Sequence, residues 1–434
     1  MANSRETYLS ATTIQRFVRA ADQARDRWLF LLVAGPLLVI YLLTATWSYP
    51  GYNDAFTNSV VGWGIGTHGS PYLEEHTDLV GTNWPGWIVP AGDSASGKYP
   101  PGAALLAAPV YAIWPEEAET ITAPEQQFGE FWPEDRASAV FPLHPMGPAA
   151  ITSAAATAIA MALLALGFRR IGGSGVAALV GGYVAGLGTA AWSVASDQLW
   201  QHGPAMMWIA LALLLSEHRL VGSGLAFGMA ILTRPPLAVI AATTGLYRSL
   251  RARALRPAIL VGAGAAVGLV VLVAYNGWVY GSPSISGGYG SGFSDNARQF
   301  DTLAYARNLF YAGFSTQRGV FVFSPFLLIL LPGLQAAWRA APDWAKGAGI
   351  GAVAYLLLQY KANNYAGGFG FPTYRYPLEA LTAAAPLLFL SYRQWVAERP
   401  RMVVLFGVMV GLAAILHLLG AIDPDLVWNT VDRP

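Results

Sequence analysis

Several stretches of this chain run for about twenty residues or more without a charged side chain, among them 142–168, 176–194 and 258–280. A helix that crosses a lipid bilayer needs about 20 predominantly apolar residues, so each stretch is long enough to span one. Only 12% of the 434 residues are charged, whereas a soluble domain carries about 25%. We therefore predict an all-α polytopic membrane protein.

Nine apolar segments fit membrane crossings, namely 28–47, 142–168, 176–194, 204–215, 258–280, 320–338, 347–358, 378–390 and 403–420. Between 220 and 247, two apolar halves are interrupted by Thr233-Arg234-Pro235-Pro236, which predicts a broken or re-entrant hairpin. A short apolar segment, 102–114, predicts a juxtamembrane helix within a long first external loop, 48–141. The predicted divisions are a cytoplasmic segment 1–27, a membrane domain 28–421 and an external tail 422–434.

The distribution of lysine and arginine orients the segments, because short cytoplasmic loops are enriched in these residues. With the N-terminus inside and the hairpin returning to its starting side, 17 of the 26 basic residues are cytoplasmic and 18 of the 25 acidic residues are external. A hairpin counted as one crossing would place the basic cluster 248–256 outside. We therefore predict a cytoplasmic N-terminus, an external C-terminus, and function in the long external loops.

The first external loop contains two candidate functional residues. Asp54 follows the first span closely and can act as a general base, or simply as the N-cap of a helix that begins at Ala55. Lys98 precedes Tyr99-Pro100-Pro101, and the prolines hold it near the membrane plane. There it can bind a lipid phosphate, or its side chain can snorkel to the interface. Further acids, Glu74, Glu75, Asp78 and Asp93, can assist Asp54 or a metal, or be solvated loop charges.

Later external segments add hydrogen-bonding and cationic residues. The turn 196–203 contains Gln198 and His202, which either bind a sugar or phosphate or cap the turn. Arg318 abuts a span, and a phosphate would give it a partner. The loop 364–377 combines glycines, which allow close backbone approach, with aromatic residues and Arg375. Glu379 follows in the next helix and can form a structural ion pair with Arg375.

Arg234 is predicted to bond carbonyl groups freed by the proline break on the cytoplasmic side, and the alternative is a functional role. The chain has no cysteine, which excludes disulfides and thiolate metal sites. It also lacks a Walker loop, a dinucleotide-binding glycine pattern, a zinc-binding His-Glu-x-x-His helix and a Gly-x-Ser-x-Gly elbow. The external histidines, at 68, 76, 144 and 202, are too scattered to predict a metal site, and a requirement for a divalent cation stays open.

The order of these motifs along the chain and the predicted membrane topology resemble those of the GT-C superfamily of membrane glycosyltransferases. That superfamily includes protein O-mannosyltransferases, aminoarabinose transferases and actinobacterial cell-wall sugar transferases. The similarity covers nearly the whole chain. Four motifs carry it, namely Tyr52-Asn53-Asp54-Ala55-Phe56, Lys98-Tyr99-Pro100-Pro101, Leu232-Thr233-Arg234-Pro235, and the loop Gly367 to Arg375 before a span with Pro386.

The resemblance implies that Asp54 is the catalytic base and that Lys98, with Arg318 or Arg375, holds the phosphate of a polyprenyl-phosphate sugar. Residues predicted to contact the sugar or acceptor are Tyr52, Tyr99, Gln198, His202, Tyr374 and Glu379. The predicted partners are that donor lipid, a glycan, lipid or protein acceptor, and membrane lipids, without nucleic acid, in a bacterial plasma membrane. The alternatives are a flippase for a lipid-linked saccharide and a non-catalytic subunit of an envelope-synthesis complex.

Overall fold

The computed structural model describes residues 25–47, 53–74, 77, 88–114, 119–124, 138–143, 146–299, 301–367 and 371–423. Tyr52, Glu75 and Asp78 lie outside this part of the chain, as do most of the predicted terminal segments. The α-helices are α1 Asp26–Thr44, α2 Asn53–Trp63, α3 Gly102–Ile113, α4 Gly147–Arg170, α5 Gly175–Leu187, α6 His202–Leu215, α7 Leu220–Thr233, α8 Ala238–Ala252, α9 Arg256–Tyr280, α10 Gly292–Arg298, α11 Thr302–Phe314, α12 Val320–Phe323, α13 Phe326–Leu330, α14 Leu334–Ala340, α15 Asp343–Ala362, α16 Pro377–Ser391 and α17 Pro400–Ile422.

Four of these helices, α1, α4, α9 and α17, are long and apolar enough to cross a membrane. They have 19, 24, 25 and 23 residues, and at 1.5 Å per residue each reaches about the 30 Å of a hydrocarbon core. The segment predicted as a span at 320–338 is instead broken into α12, α13, a 3₁₀ turn and α14, because Pro325 and Pro332 interrupt it. The count of nine crossings remains a prediction, whereas the all-α membrane fold is confirmed.

The first loop contains the predicted juxtamembrane helix, α3, which packs against α2. It also contains strands that the sequence analysis did not predict: β1 (Ile88–Ala91) pairs antiparallel with β2 (Ser94–Gly97), and β3 (Glu119–Pro124) with β4 (Ser138–Leu143). The apolar segment predicted from about residue 142 contains helix α4, which begins at Gly147, and β4 ends before it at Leu143.

The charged connections at one end of the bundle are held together by polar contacts. Arg169 pairs with Asp26 at 3.7 Å, and Arg170 donates to the carbonyl of Leu214 at 2.9 Å. Arg251, at the end of α8, pairs with Asp343 at the start of α15 at 3.6 Å. We call this the basic end. The opposite end, where α6 and α16 begin, carries the site described below.

Helices α7 and α8 form the predicted hairpin, and its two ends lie at the basic end. Helix α7 runs parallel to α9, with Gly224 packed on Val261 and Gly228 on Gly268. Helix α9 begins at Arg256, beside the end of α8, so α8 returns to the level at which α7 began. The tip of the hairpin is Arg234 with Pro235 and Pro236. The two prolines have no backbone N–H to donate to the preceding turn, so α7 ends before them.

The closest helix contact predicts a specific weakness. A Cβ on Gly268 would overlap the backbone of Gly228, so we expect Gly268→Ala to lower the free energy of unfolding by about 1–3 kcal/mol. Gly262→Ala is the matched control on the same helix, because a Cβ added there would meet no atom within 4 Å. Thermal unfolding in detergent measures both variants, and equal stability of the two would contradict this packing.

Candidate active site

Asp54 lies in the first turn of α2, which begins at Asn53. Its carboxylate accepts a hydrogen bond from the hydroxyl of Tyr99 through Oδ1, and Oδ2 is 2.7 Å from Nη1 of Arg375. Because α2 begins at Asn53, Asp54 lies inside the helix, whereas its alternative role as an N-cap would need a helix that starts at Ala55. The carboxylate is committed to a tertiary contact that joins the first loop to the segment before α16.

Lys98 lies between β2 and α3 and is partly buried. Its ammonium nitrogen is 5.4 Å from the ring centroid of Tyr99 and 5.9 Å from that of Tyr289, within the range of cation–π contacts. The two rings meet edge to face, with centroids 5.3 Å apart. The side chain is thus held by aromatic rings beside Asp54, which differs from simple snorkelling to the membrane interface.

Arg375 is enclosed by aromatic rings on several sides. Its guanidinium carbon lies 5.1 Å from the Trp200 centroid, 5.0 Å from that of Phe371 and 5.2 Å from that of Tyr376. These rings fix the guanidinium in front of Asp54 without hydrogen-bonding to it. Arg318 lies behind the same wall, 4.2 Å from the Phe371 centroid, and it does not line the cavity that contains Asp54.

A second polar cluster forms where α6, the hairpin tip and α16 meet. Nδ1 of His202 lies 2.8 Å from Oε1 of Glu379, and Nη1 of Arg234 lies 3.1 Å from the same oxygen. The hydroxyl of Tyr355 donates to Oε2 of Glu379 at 3.2 Å. Glu379 is fully buried, so these contacts replace the solvation that its charge has lost.

This cluster corrects three predictions. Arg234 does not bond freed carbonyls on the basic side, since it reaches the site at the other end of the bundle. Glu379 pairs with Arg234 and His202, whereas Arg375 pairs with Asp54. His202 begins α6 and directs its ring to Glu379, so its role is not to cap the turn.

The two clusters border one cavity of about 460 Å³. It brings together five of the predicted site residues, which are Asp54, Lys98, Tyr99, His202 and Arg375. Sequence reasoning missed the contributions of Trp200, Arg234, Tyr289 and Tyr376. For Arg234, a signal was present in the charge placed at the proline break of an apolar hairpin.

Two other predicted residues lie away from this cavity. Tyr374 is buried, and its hydroxyl lies 2.8 Å from Ser324 Oγ and accepts from the amide of Ala190. Gln198 is buried in the turn before α6, where its neighbour Asp197 accepts from the amide and the hydroxyl of Thr46. The hydroxyl of Tyr374 therefore links the loop before α16 to Ser324 and Ala190.

The charges at the cavity favour an anionic ligand. Lys98, Arg234 and Arg375 line the cavity, and the carboxylates of Asp54 and Glu379 pair with Arg375 and Arg234 respectively. One positive charge remains, which suits a phosphate group. Among the described residues, no three histidine or acidic side chains are grouped to hold a metal ion.

The pKa values in the first loop follow from this arrangement. Burial alone would raise the pKa of Asp54, but Arg375, the Tyr99 hydroxyl and Lys98 together hold it below its usual range. Burial lowers the pKa of Lys98, and the charge of Asp54 partly offsets that effect. Burial and the Asp54 charge raise the pKa of Tyr99, which stays a hydrogen-bond donor. Asp54 is therefore ionised but weakly basic while Arg375 remains bonded to it.

The chain is similar in structure to ArnT from Cupriavidus metallidurans. The crystal structure in the apo state aligns with a TM-score of 0.55 and 17% identity, over 93% of this chain and 77% of that one. The structure bound to undecaprenyl phosphate aligns with a TM-score of 0.49 and 17% identity, over 94% and 78%. No protein-family model and no curated protein matches the sequence. The apo comparison confirms the predicted GT-C-like fold, and at this identity it shows the fold alone.

Proposed function

We propose that this chain is an inverting glycosyltransferase that moves a sugar from a polyprenyl-phosphate donor to a hydroxyl of an extracytoplasmic acceptor. The observation that carries the proposal is the convergence of Asp54 with Lys98, Arg234 and Arg375 at one cavity. A displacement of this kind needs a group that takes a proton and cations that stabilise a leaving phosphate. The cavity offers both.

In the proposed reaction, the acceptor oxygen bonds to the anomeric carbon while the bond from that carbon to the phosphate oxygen breaks. The hydroxyl proton passes to Asp54. Polyprenyl phosphate leaves with the bonding electron pair, and Lys98 and Arg375 stabilise its charge. One displacement inverts the configuration of the anomeric carbon.

The ion pair between Asp54 and Arg375 suggests that the donor activates the base. While Arg375 bonds to Asp54, the pKa of that carboxyl is held low, and the carboxylate is a poor base. A donor phosphate that accepts the hydrogen bonds of Arg375 in place of Asp54 would remove the largest influence that lowers the Asp54 pKa. Burial of the carboxyl would then raise that pKa. The proposed order is therefore donor binding first, then proton transfer from the acceptor.

The same proposal places the protein in a bacterial plasma membrane, with the basic end toward the cytoplasm. The enrichment of lysine and arginine in the connections at that end supports this orientation. Residues 28–421 then form the catalytic membrane domain, the N-terminus is cytoplasmic, and the cavity and C-terminus face the outside. Cysteine-labelling of single introduced residues in intact cells tests the orientation.

Transfer is tested with purified full-length protein, labelled polyprenyl-phosphate sugars and crude envelope acceptors. Label that moves to an acceptor supports the proposal. Label that stays on the lipid with every donor tested contradicts it.

Lys98→Gln is expected to weaken polyprenyl-phosphate binding about tenfold or more, because one charge-assisted hydrogen bond is worth about 1.5–3 kcal/mol. The matched control is Arg298→Gln, since Arg298 is exposed and pairs within its own helix with Asp295 at 3.9 Å. Equilibrium binding of labelled polyprenyl phosphate in detergent measures both variants. Equal affinities would rule out Lys98 as a phosphate ligand.

A further inference from the structure

A second cavity, of about 880 Å³, lies beside the charged one. Its walls are α11, the end of α15 and the segment 363–365 that follows α15. We call it the α11 cleft. Its volume is near the upper end of the roughly 300–1,000 Å³ typical of ligand pockets.

The α11 cleft is built on a rigid frame. Asn308 on α11 donates through its amide nitrogen to the carbonyls of Tyr360 and Asn363, the latter at 2.8 Å, and its amide oxygen accepts from the backbone N–H of Tyr365. Asp301 caps α11 by accepting from the amides of Leu303 and Ala304 at 2.9 and 3.0 Å. These bonds fix the helix, the end of α15 and the following loop relative to one another.

Other polar groups in the cleft are not used by this frame. The side chains of Gln299, Thr316 and Gln317 and the hydroxyls of Tyr311 and Tyr365 line the cleft outside this frame. Amides and hydroxyls can donate and accept at the same time. The rings of Tyr311 and Tyr365 lie beside one another, with centroids 5.2 Å apart and planes 33° apart. The cleft thus combines ring faces with paired donors and acceptors.

The charged side chains that line the α11 cleft are each engaged by neighbouring groups of the protein. Asp301 caps its helix, and Lys361 donates to backbone carbonyls of Asn296 and Gln299. Arg307 lies 5.7 Å from the ring centroid of Tyr311. A neutral ligand with many hydroxyl groups and apolar C–H faces fits these walls, and that is the chemistry of a carbohydrate.

The α11 cleft and the charged cavity share one lining residue. Asn363 lines both cavities. A ligand that lies in the cleft can therefore extend its terminal unit past Asn363 toward Asp54. The two cavities together place a surface of tyrosine rings, amides and hydroxyls beside a charged reaction site.

We propose that the acceptor is a glycan, held in the α11 cleft with its terminal sugar extended toward Asp54. This inference rests on the proposed glycosyltransferase function and names its acceptor class. It assigns Tyr311 and Tyr365 as stacking residues and Gln317 as a hydrogen-bonding residue.

The test is direct binding, which does not depend on turnover. Full-length protein in detergent is titrated with neutral oligosaccharides of two to six residues built from glucose, galactose, mannose or arabinose, and bound ligand is detected by saturation-transfer NMR. We expect at least one series to bind wild type, and Tyr311→Ala and Tyr365→Ala to weaken it about tenfold each. Tyr311→Phe and Tyr365→Phe retain the rings and should bind within about threefold of wild type.

Binding of labelled polyprenyl phosphate checks the fold of each variant and should not change. The inference is overturned if wild type binds no oligosaccharide, if the alanine variants bind as wild type does, or if a Ser/Thr-containing peptide displaces the glycan from the cleft. Failure of the proposed function looks different, since glycan binding and its loss in the alanine variants would persist while no sugar is transferred from any donor.

Discussion

Asp54→Asn is expected to reduce sugar transfer by about 10²–10⁴-fold, the usual contribution of a general base. The amide retains the shape of the side chain and can still accept from Tyr99, but it cannot take a proton from the acceptor. The measurement is transfer of label from a polyprenyl-phosphate sugar to envelope acceptors by purified protein. Polyprenyl-phosphate binding should remain, because Lys98 and Arg375 are intact.

Asp93→Asn is the matched control for Asp54→Asn. Asp93 is an exposed acid in the same loop, at the turn between β1 and β2, and it does not line the charged cavity. We expect full transfer activity. Wild-type turnover in Asp54→Asn would remove the base from the mechanism. Movement of labelled lipid between leaflets of proteoliposomes, without transfer by wild type, would favour the flippase alternative.

Glu379→Gln is expected to lower the free energy of unfolding by about 3–5 kcal/mol. The substitution removes the carboxylate that lies 3.1 Å from Arg234, and a buried cation left without its partner costs about that much. Thermal or denaturant unfolding in detergent measures the loss. Glu398→Gln is the matched control, because Glu398 is exposed at the basic end, and it should change stability by less than about 0.5 kcal/mol.

A double variant tests whether the effect belongs to the pair. In Arg234→Gln with Glu379→Gln, neither buried charge remains, so the combined loss should be smaller than the sum of the single losses. Additive losses would show that Glu379 and Arg234 stabilise the fold independently. A Glu379→Gln protein as stable as wild type would contradict the buried ion pair itself.

The apolar segments and the order of the motifs determined the helical membrane fold, because only helices satisfy their own backbone hydrogen bonds in lipid. They also identified Asp54, Lys98, His202 and Arg375, since polar residues next to apolar spans are rare enough to be noticed individually. The return of the hairpin followed from its two prolines and the basic cluster at 248–256. Each of these inferences needs only local composition.

Pairing between distant residues was decided by the tertiary structure. Arg375 and Glu379 are four residues apart, a spacing that allowed an ion pair between them. Helix α16 begins only at Pro377, however, so helical spacing does not bring the two side chains together. Arg375 instead faces Asp54, and Glu379 faces Arg234 at the tip of the hairpin. Helix α7, which leads to that tip, packs closely on α9 at Gly224 and Gly228, and composition alone does not reveal these contacts. For this reason the sequence located most of the charged site, and only the packing of the helices completed it with Arg234.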